Sequence, residues 1–290
     1  RPEPDDPSGD LCAGDECFGG AGDLRRALDA GTKLQIHTKF VPDRSSLASI
    51  SRRDVEMGID RSLRRLGVER LDLVQFHWWD YDIDGFLDAA AYLQQLQDAG
   101  KIKHIGVTNF DAQHLDALCH SLEIVSAQVQ YSLLDRRPAG KFASIAQMRH
   151  VHLLCYGVLA GGFLTDQWHG ADDPGFAFEN RSLVKYRLII EEFGGWALFQ
   201  QLLAVLRQVA DRYHVDIDTI AIKSMLDNAD VAAVIVGARY AERLPNTLRA
   251  FTISFNEQDR QAIDAVLAKA QGPSGPVFGL ERDTSGRHGS

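Results

Sequence analysis

Six short apolar runs in this sequence each close on a residue able to act on, or hold, a small molecule. LQIHT is followed by Lys39, LDLVQF by His77, HIGVT by Asn109, AQVQ by Tyr131, HLLC by Tyr156, and AAVIV by Gly237 with Ala238 and Arg239 behind it. An ammonium, an imidazole, an amide and two aromatic rings gathered at one mouth would bind and protonate a polar organic molecule. Each position also has a plainer reading. A lysine closing a strand meets water there, a histidine after an apolar run is commonly a satisfied structural residue, Asn109 stands where a helix starting near Asp111 needs a cap, and Tyr131 reads equally as core. The remaining histidines, including His150 and His152, have no HExxH-like spacing, so no metal site is expected.

The segments between these runs would position them. Amphipathic stretches end at Gly31, Gly67 and Gly100, 36 and 33 residues apart, and a few polar residues then lead into an apolar run. Val55, Ile59, Leu63 and Leu66 make one helical stripe, and Phe86, Ala90, Leu93 and Leu96 make the next. Helices alternating with nearly continuous apolar strands are the βα unit of a parallel sheet. The pattern continues through strands at 124–132, 152–157 and 231–237 and a helix at 194–213. A flat dinucleotide-binding sheet would carry GxGxxG between strand and helix, and that spacing is absent; Gly19, Gly20 and Gly22 read as a turn. The α/β fold expected is therefore a (β/α)8 TIM-type barrel, with six clear strands and hence incomplete at its N-terminal end. The expected divisions are a divergent or disordered segment over 1–21, a barrel domain over 22–271 and a tail over 272–290. Within the barrel, 166–195 reads as a long loop over a binding mouth or a solvated insertion; the tail reads as extended or disordered.

Composition narrows the partners. The 290 residues carry 31 Lys and Arg against 40 Asp and Glu, a formal charge of −9, which repels phosphate backbones and anionic lipid. Neither nucleic acid nor a membrane is expected, and a small molecule is. With no long apolar run and no signal-like start, a cytoplasmic location is expected. Cys12, Cys17, Cys119 and Cys155 form no CxxC pair and read as free thiols. Trp78, Trp79 and Tyr81 after His77, with Trp168, read as an aromatic lining of the mouth or as packing.

The segments LQIHTKF, LGVERLDLVQFHWWD, GKIKHIGVTNF, AQVQYSLLDRRP, LLCYGVLAGGFLTD and AAVIVGARYAERLPNTLRAF, in that order over residues 22–270, resemble the aldo-keto reductase superfamily. The resemblance implies the eight-stranded barrel and reversible hydride transfer between NADP(H) and a carbonyl or alcohol. It implies catalytic roles for Lys39 and His77, grips on the nicotinamide carboxamide for Asn109 and Gln128, and ring stacking for Tyr156. Gly237 and Ala238 match a phosphate-holding turn, and Arg239 and Arg243 the contacts to an adenosine 2′-phosphate. Asn246 and Thr247 stand where family members often place an acid and an amide against adenine. The proton-donating tyrosine has no counterpart: its segment aligns with GDECFGGAG, which places Phe18 at that position and Ala13 at the aspartate, with Asp15 nearby, and no tyrosine precedes Lys39. Two functions follow from the resemblance: an NADP(H)-dependent oxidoreductase whose proton chemistry falls to His77, or a catalytically impaired relative that binds NADP(H) in a regulatory or subunit role.

Overall fold

The computed structural model describes residues 35–237 and 241–282. The expectations placed on 1–21, including Phe18 and Ala13, and on Ala238 and Arg239 lie outside the described residues. The described chain forms two compact units, one of residues 35–128 with 145–152, the other of 129–144, 153–237 and 241–282.

In the first unit β1 (His37–Phe40), β2 (Leu71–Phe76), β3 (Ile102–Thr108) and β4 (Ile124–Gln130, whose last two residues belong to the second unit) pair in parallel and in chain order. Helices α1 (Arg52–Leu66), α2 (Phe86–Asp98) and α3 (Ala112–Cys119) make the crossovers. Both expected stripes face the core, with Val55, Ile59, Ala90, Leu93 and Leu96 buried. Ser51 caps α1 reciprocally with Asp54, which satisfies two amide groups that a helix start leaves open. Gly67 ends α1 in the left-handed conformation, φ 66°, that side-chain-bearing residues resist. Lys101 joins α1 to the start of β3 by reaching Asp60 at 2.6 Å and Glu56 at 3.3 Å.

Register places the strands' side chains in layers. Lys39 lies beside Gln75, Gln75 beside Gly106, and Gly106 beside Ser126. One residue further on, Phe40, Phe76, Val107 and Ala127 form the matching row on the opposite face. Gly106 is required by closeness, because a Cβ there would lie 2.9 Å from the Ser126 carbonyl oxygen and against its hydroxyl.

After the short helix α4 (Lys141–Met148), the second unit pairs β5 (His152–Tyr156) with β6 (Val231–Val234), also parallel. Its core is mostly helical, built by α5 (Arg181–Phe193), α6 (Gly195–Tyr213), α7 (Ile217–Leu226) and α9 (Glu257–Leu267), with α8 (Leu244–Leu248) short and exposed on its apolar side. Two expectations are corrected here. The stretch 166–195 is not one long loop: α5 occupies 181–193 and buries Tyr186, Leu188, Ile189, Ile190 and Phe193. It turns by 92° into α6 at Gly194, whose φ of 141° and 2.7 Å approach to Leu198 exclude a side chain. Nor is the tail from Gly272 extended throughout: it buries Val277 and ends in α10 (Gly279–Arg282), whose Glu281 is buried. Composition hid this, because one carboxylate with a buried partner holds the segment. Arg137 donates to both oxygens of Glu281 at 2.9 Å and to both of Asp135 at 2.9 and 2.7 Å. Among the described residues no single helix is long and apolar enough to cross a membrane.

Gly106→Ala is expected to lower stability by about 1–3 kcal/mol, the usual range for overpacking, read as a reduced urea midpoint with an unchanged slope. Burial would raise the Glu281 carboxyl, but Arg137 outweighs it and holds it below its ordinary 4.5. A depressed carboxylate contributes stability above its unfolded value that is lost as pH falls through the folded one. Urea midpoints should therefore fall as pH drops below 4.5, and Glu281→Gln should flatten that fall.

Candidate functional site

Carboxyl ends of parallel strands are where a βα fold leaves side chains exposed to a ligand rather than to a crossover helix. In the first unit that end is polar on one face. Gln75, followed by His77, alternates along β2; Gly106 and Thr108 do so along β3, and Ser126 and Gln128 along β4. Lys39 sits in the lower row with Gln75 and Ser126, while Thr108 and Gln128 pair in the upper row. The structure thus brings Lys39, His77, Asn109 and Gln128 to one end of the same four strands. His77, Asn109, Gln128, Thr108, Ser126 and Gln75 are all buried, and Lys39 is half-buried.

His77 is held at both ends. Its amide donates to the Phe40 carbonyl at 3.0 Å, and its ring Nδ1 lies 3.0 Å from the Thr108 carbonyl oxygen. A carbonyl only accepts, so Nδ1 carries the hydrogen of that bond. Trp79 meets the imidazole edge-on, ring centres 4.6 Å apart, and is fixed by its own bond to the Pro42 carbonyl at 2.8 Å. The adjacent Trp78 does not line a mouth: it is fully buried and bonded to the Ile83 carbonyl. Tyr81 stacks on His114, rings 3.6 Å apart, and Trp168 packs into the second unit's core against Phe163 and Trp196.

Asn109 has a left-handed backbone, φ 59°, a conformation that asparagine tolerates better than most residues. Its amide donates to the Gln128 carbonyl at 2.9 Å, so the turn that ends β3 is bonded to β4. The helix that follows is capped by Asp111, which accepts from the His114 amide; Asn109 is therefore not the cap. The hydroxyls of Thr108 and Ser126 are buried without a hydrogen-bond partner, on the face that carries Gln128. Orphaned hydroxyls beside buried amides suit a polar planar group such as a nicotinamide carboxamide, and in that sense the residues fit the cofactor.

In the second unit Tyr156 closes β5, and its carbonyl accepts the Tyr131 amide at 3.1 Å. Burial pushes the Tyr156 phenol well above its ordinary value, and Glu281 and Asp135 push it the same way. The Lys185 ammonium stands 5.7 Å from the centre of that ring. Tyr131 is core, its hydroxyl accepting from Asn228 at 2.8 Å. Gly237 lies three residues past β6, exposed, with the next described helical turn at Ala241–Arg243, where Arg243 is exposed. Asn246 is engaged with Asp216 at 2.9 Å, and Thr247 with the Arg243 carbonyl. Sequence reasoning passed over Thr108, Ser126 and Lys185. The first two were accessible, since Ser126 and Gln128 alternate in SAQVQ and Thr108 precedes Asn109; nothing local marks Lys185. Among the described residues no group of His, Cys, Asp and Glu is placed to hold a metal ion.

Known proteins are similar to this chain in sequence and fold. The curated relatives include the NADH-specific methylglyoxal reductase of Escherichia coli, 25% identical over 221 residues, and the aldo-keto reductase YhdN of Bacillus subtilis, 26% identical over 225. Each alignment takes in 76% of this chain, and the chain spans about two thirds of those relatives, 66% and 65%. A glycerol dehydrogenase from Gluconobacter oxydans superposes with a TM-score of 0.71 over 89% of this chain and 80% of its own, at 24% identity, which establishes the fold. The sequence profile of the aldo/keto reductase family matches residues 23–268, so the layered strand ends described above are those of a member of that family.

Proposed function

We propose that the protein is an NADP(H)-dependent oxidoreductase that transfers hydride between nicotinamide and a carbonyl or alcohol substrate. The observation that carries this reading is the shared polar face at the ends of β1–β4, where Lys39, His77 and Gln128 stand with the Asn109 turn. Gln128 and Asn109 supply the donors and acceptors that would hold a carboxamide, and the family resemblance assigns ring stacking to Tyr156. The bound cofactor would supply the hydride. The chain's own task is then to orient a carbonyl oxygen and deliver a proton to it. With Nδ1 committed to the Thr108 carbonyl, a protonated His77 presents Nε2–H to that oxygen and keeps Nε2 as the acceptor for the reverse direction. Lys39 adds a positive charge on the same face, which favours the developing alkoxide.

NADP(H) is proposed over NAD(H) because Arg239 and Arg243 follow the last strand, and a guanidinium suits a 2′-phosphate. The NADH preference named for the Escherichia coli relative makes this worth testing directly. Dinucleotide titration by fluorescence, followed by an aldehyde panel read as loss of reduced-nicotinamide absorbance, tests the whole reading; failure to bind either dinucleotide would end it. Lys39→Met and His77→Ala should each lower kcat by about 10²-fold or more, while the dissociation constant for NADPH moves far less. Arg243→Ala should weaken NADPH by about tenfold and leave NADH nearly unchanged, a loss of about 1.4 kcal/mol seen with one dinucleotide only.

A further inference from the structure

The proposed chemistry leaves one charged cluster of the second unit unused. Arg137 follows β4, Asp135 stands two residues before it, and Glu281 comes from α10, 144 residues later in the chain. The side chains of Arg137 and Asp135 are 1% exposed and that of Glu281 is 7% exposed, so the three form a desolvated ion cluster rather than a surface pair. Such a cluster is rigid in use, because removing one partner strands a charge away from water.

Its contacts lead to the Tyr156 turn from two sides. On one side, Gln130 at the end of β4 donates to Asp135 at 2.7 Å. On the other, one guanidinium between two carboxylates leaves a negative charge in surplus, and Lys185 on α5 helps to hold the Glu281 carboxyl ionised. The Lys185 ammonium lies over Tyr186 at 4.4 Å and over Tyr156 at 5.7 Å. Gly157, next to Tyr156, is wedged where the two sides meet: a Cβ there would lie 2.6 Å from the Tyr186 hydroxyl and 3.2 Å from Gln130 Cγ. The turn that carries Tyr156 therefore has its backbone confined by Tyr186 and by Gln130, which is bonded to Asp135 and through it to Arg137 and Glu281.

We propose that α10 is a latch on the nicotinamide platform, with Glu281 a positioning residue whose two-point pairing to Arg137 fixes the Tyr156–Gly157 turn for ring stacking. The proposal rests on the assignment of Tyr156 to the nicotinamide ring. Glu281 touches neither substrate nor cofactor in this account. Its loss acts on affinity for the dinucleotide and not on the proton step at His77.

Four proteins decide the matter: wild type, Glu281→Ala, Glu281→Gln and Tyr156→Leu. NADPH and NADH dissociation constants, and kcat at saturating dinucleotide, are measured for each, with circular dichroism to quantify the folded fraction. Glu281→Ala should weaken the better-bound dinucleotide about tenfold and leave kcat within about threefold, with Glu281→Gln in between. A purely structural role would lower the folded fraction and the apparent kcat together while the dissociation constant stayed put. If Glu281→Ala does not fold, the isosteric Glu281→Gln carries the test, with a rise of about threefold expected. Coupling is reciprocal, so dinucleotide should also slow amide hydrogen exchange across 276–282 in wild type and not in the Glu281 variants. Dissociation constants within twofold of wild type in the folded Glu281 variants, with Tyr156→Leu clearly weakened, overturn the latch and leave the platform standing. An unchanged constant in Tyr156→Leu, or a wild type that binds neither dinucleotide, overturns the platform and the latch with it.

Discussion

Alternation along a parallel strand is the constraint on which the candidate site depends. Side chains two residues apart share a face, and paired residues on neighbouring strands share it too, so one polar position propagates across a sheet. Lys39, Gln75, Gly106 and Ser126 make one row, and His77, Thr108 and Gln128 continue it on the same face. The intervening row, Phe40, Phe76, Val107 and Ala127, is apolar. A slip of one residue in β2 would send His77 to the other face and place Phe76 in its stead. Gly106 guards against such adjustment between β3 and β4, since no side chain fits between its backbone and Ser126.

Desolvation makes this polar row costly, and the way the chain meets that cost separates structural groups from candidate functional ones. A buried polar atom without a partner costs about 1–3 kcal/mol. Asp135, Arg137 and Glu281 meet the demand among themselves, as do Tyr131 with Asn228. Thr108 and Ser126 do not, and they stand on the face of Lys39 and Gln128. Their hydroxyls therefore belong with the candidate functional groups rather than with the structural ones.

How much of this was legible in the sequence varied with the kind of signal. Lys39, His77 and Asn109 were readable because each directly closes a short apolar run, and a strand's end is a one-dimensional event. The expected helical stripes of α1 and α2 appear as buried faces for the same reason. The helix at 181–193 was missed because 166–180, rich in Gly, Asp and aromatics, coloured the reading of the apolar segment after it. Trp78 and Trp79 were indistinguishable as neighbours, yet opposite faces of the chain send one into the core and the other against His77. Glu281 was invisible because its meaning lies in a partner 144 residues away, and no local pattern announces a pairing of that span.

The surroundings of the described residues define what proton chemistry they can do. A nearby cation lowers a phenol's pKa and burial raises it, so the tyrosines of the second unit can be judged by their surroundings. Burial pushes Tyr131 up, and it pushes Tyr186 and Tyr156 up further, with Glu281 and Asp135 acting on both in the same direction. Arg137 pulls the Tyr156 value down, but the loss of water and the carboxylates outweigh it. These phenols stay protonated at neutral pH, which suits stacking and packing. On the face that carries Lys39, the imidazole of His77 has its Nδ1 committed to the Thr108 carbonyl. Within the proposed reaction Nε2 of His77 is the atom assigned to the substrate oxygen, and the geometry of β2 and β3 sets where it stands.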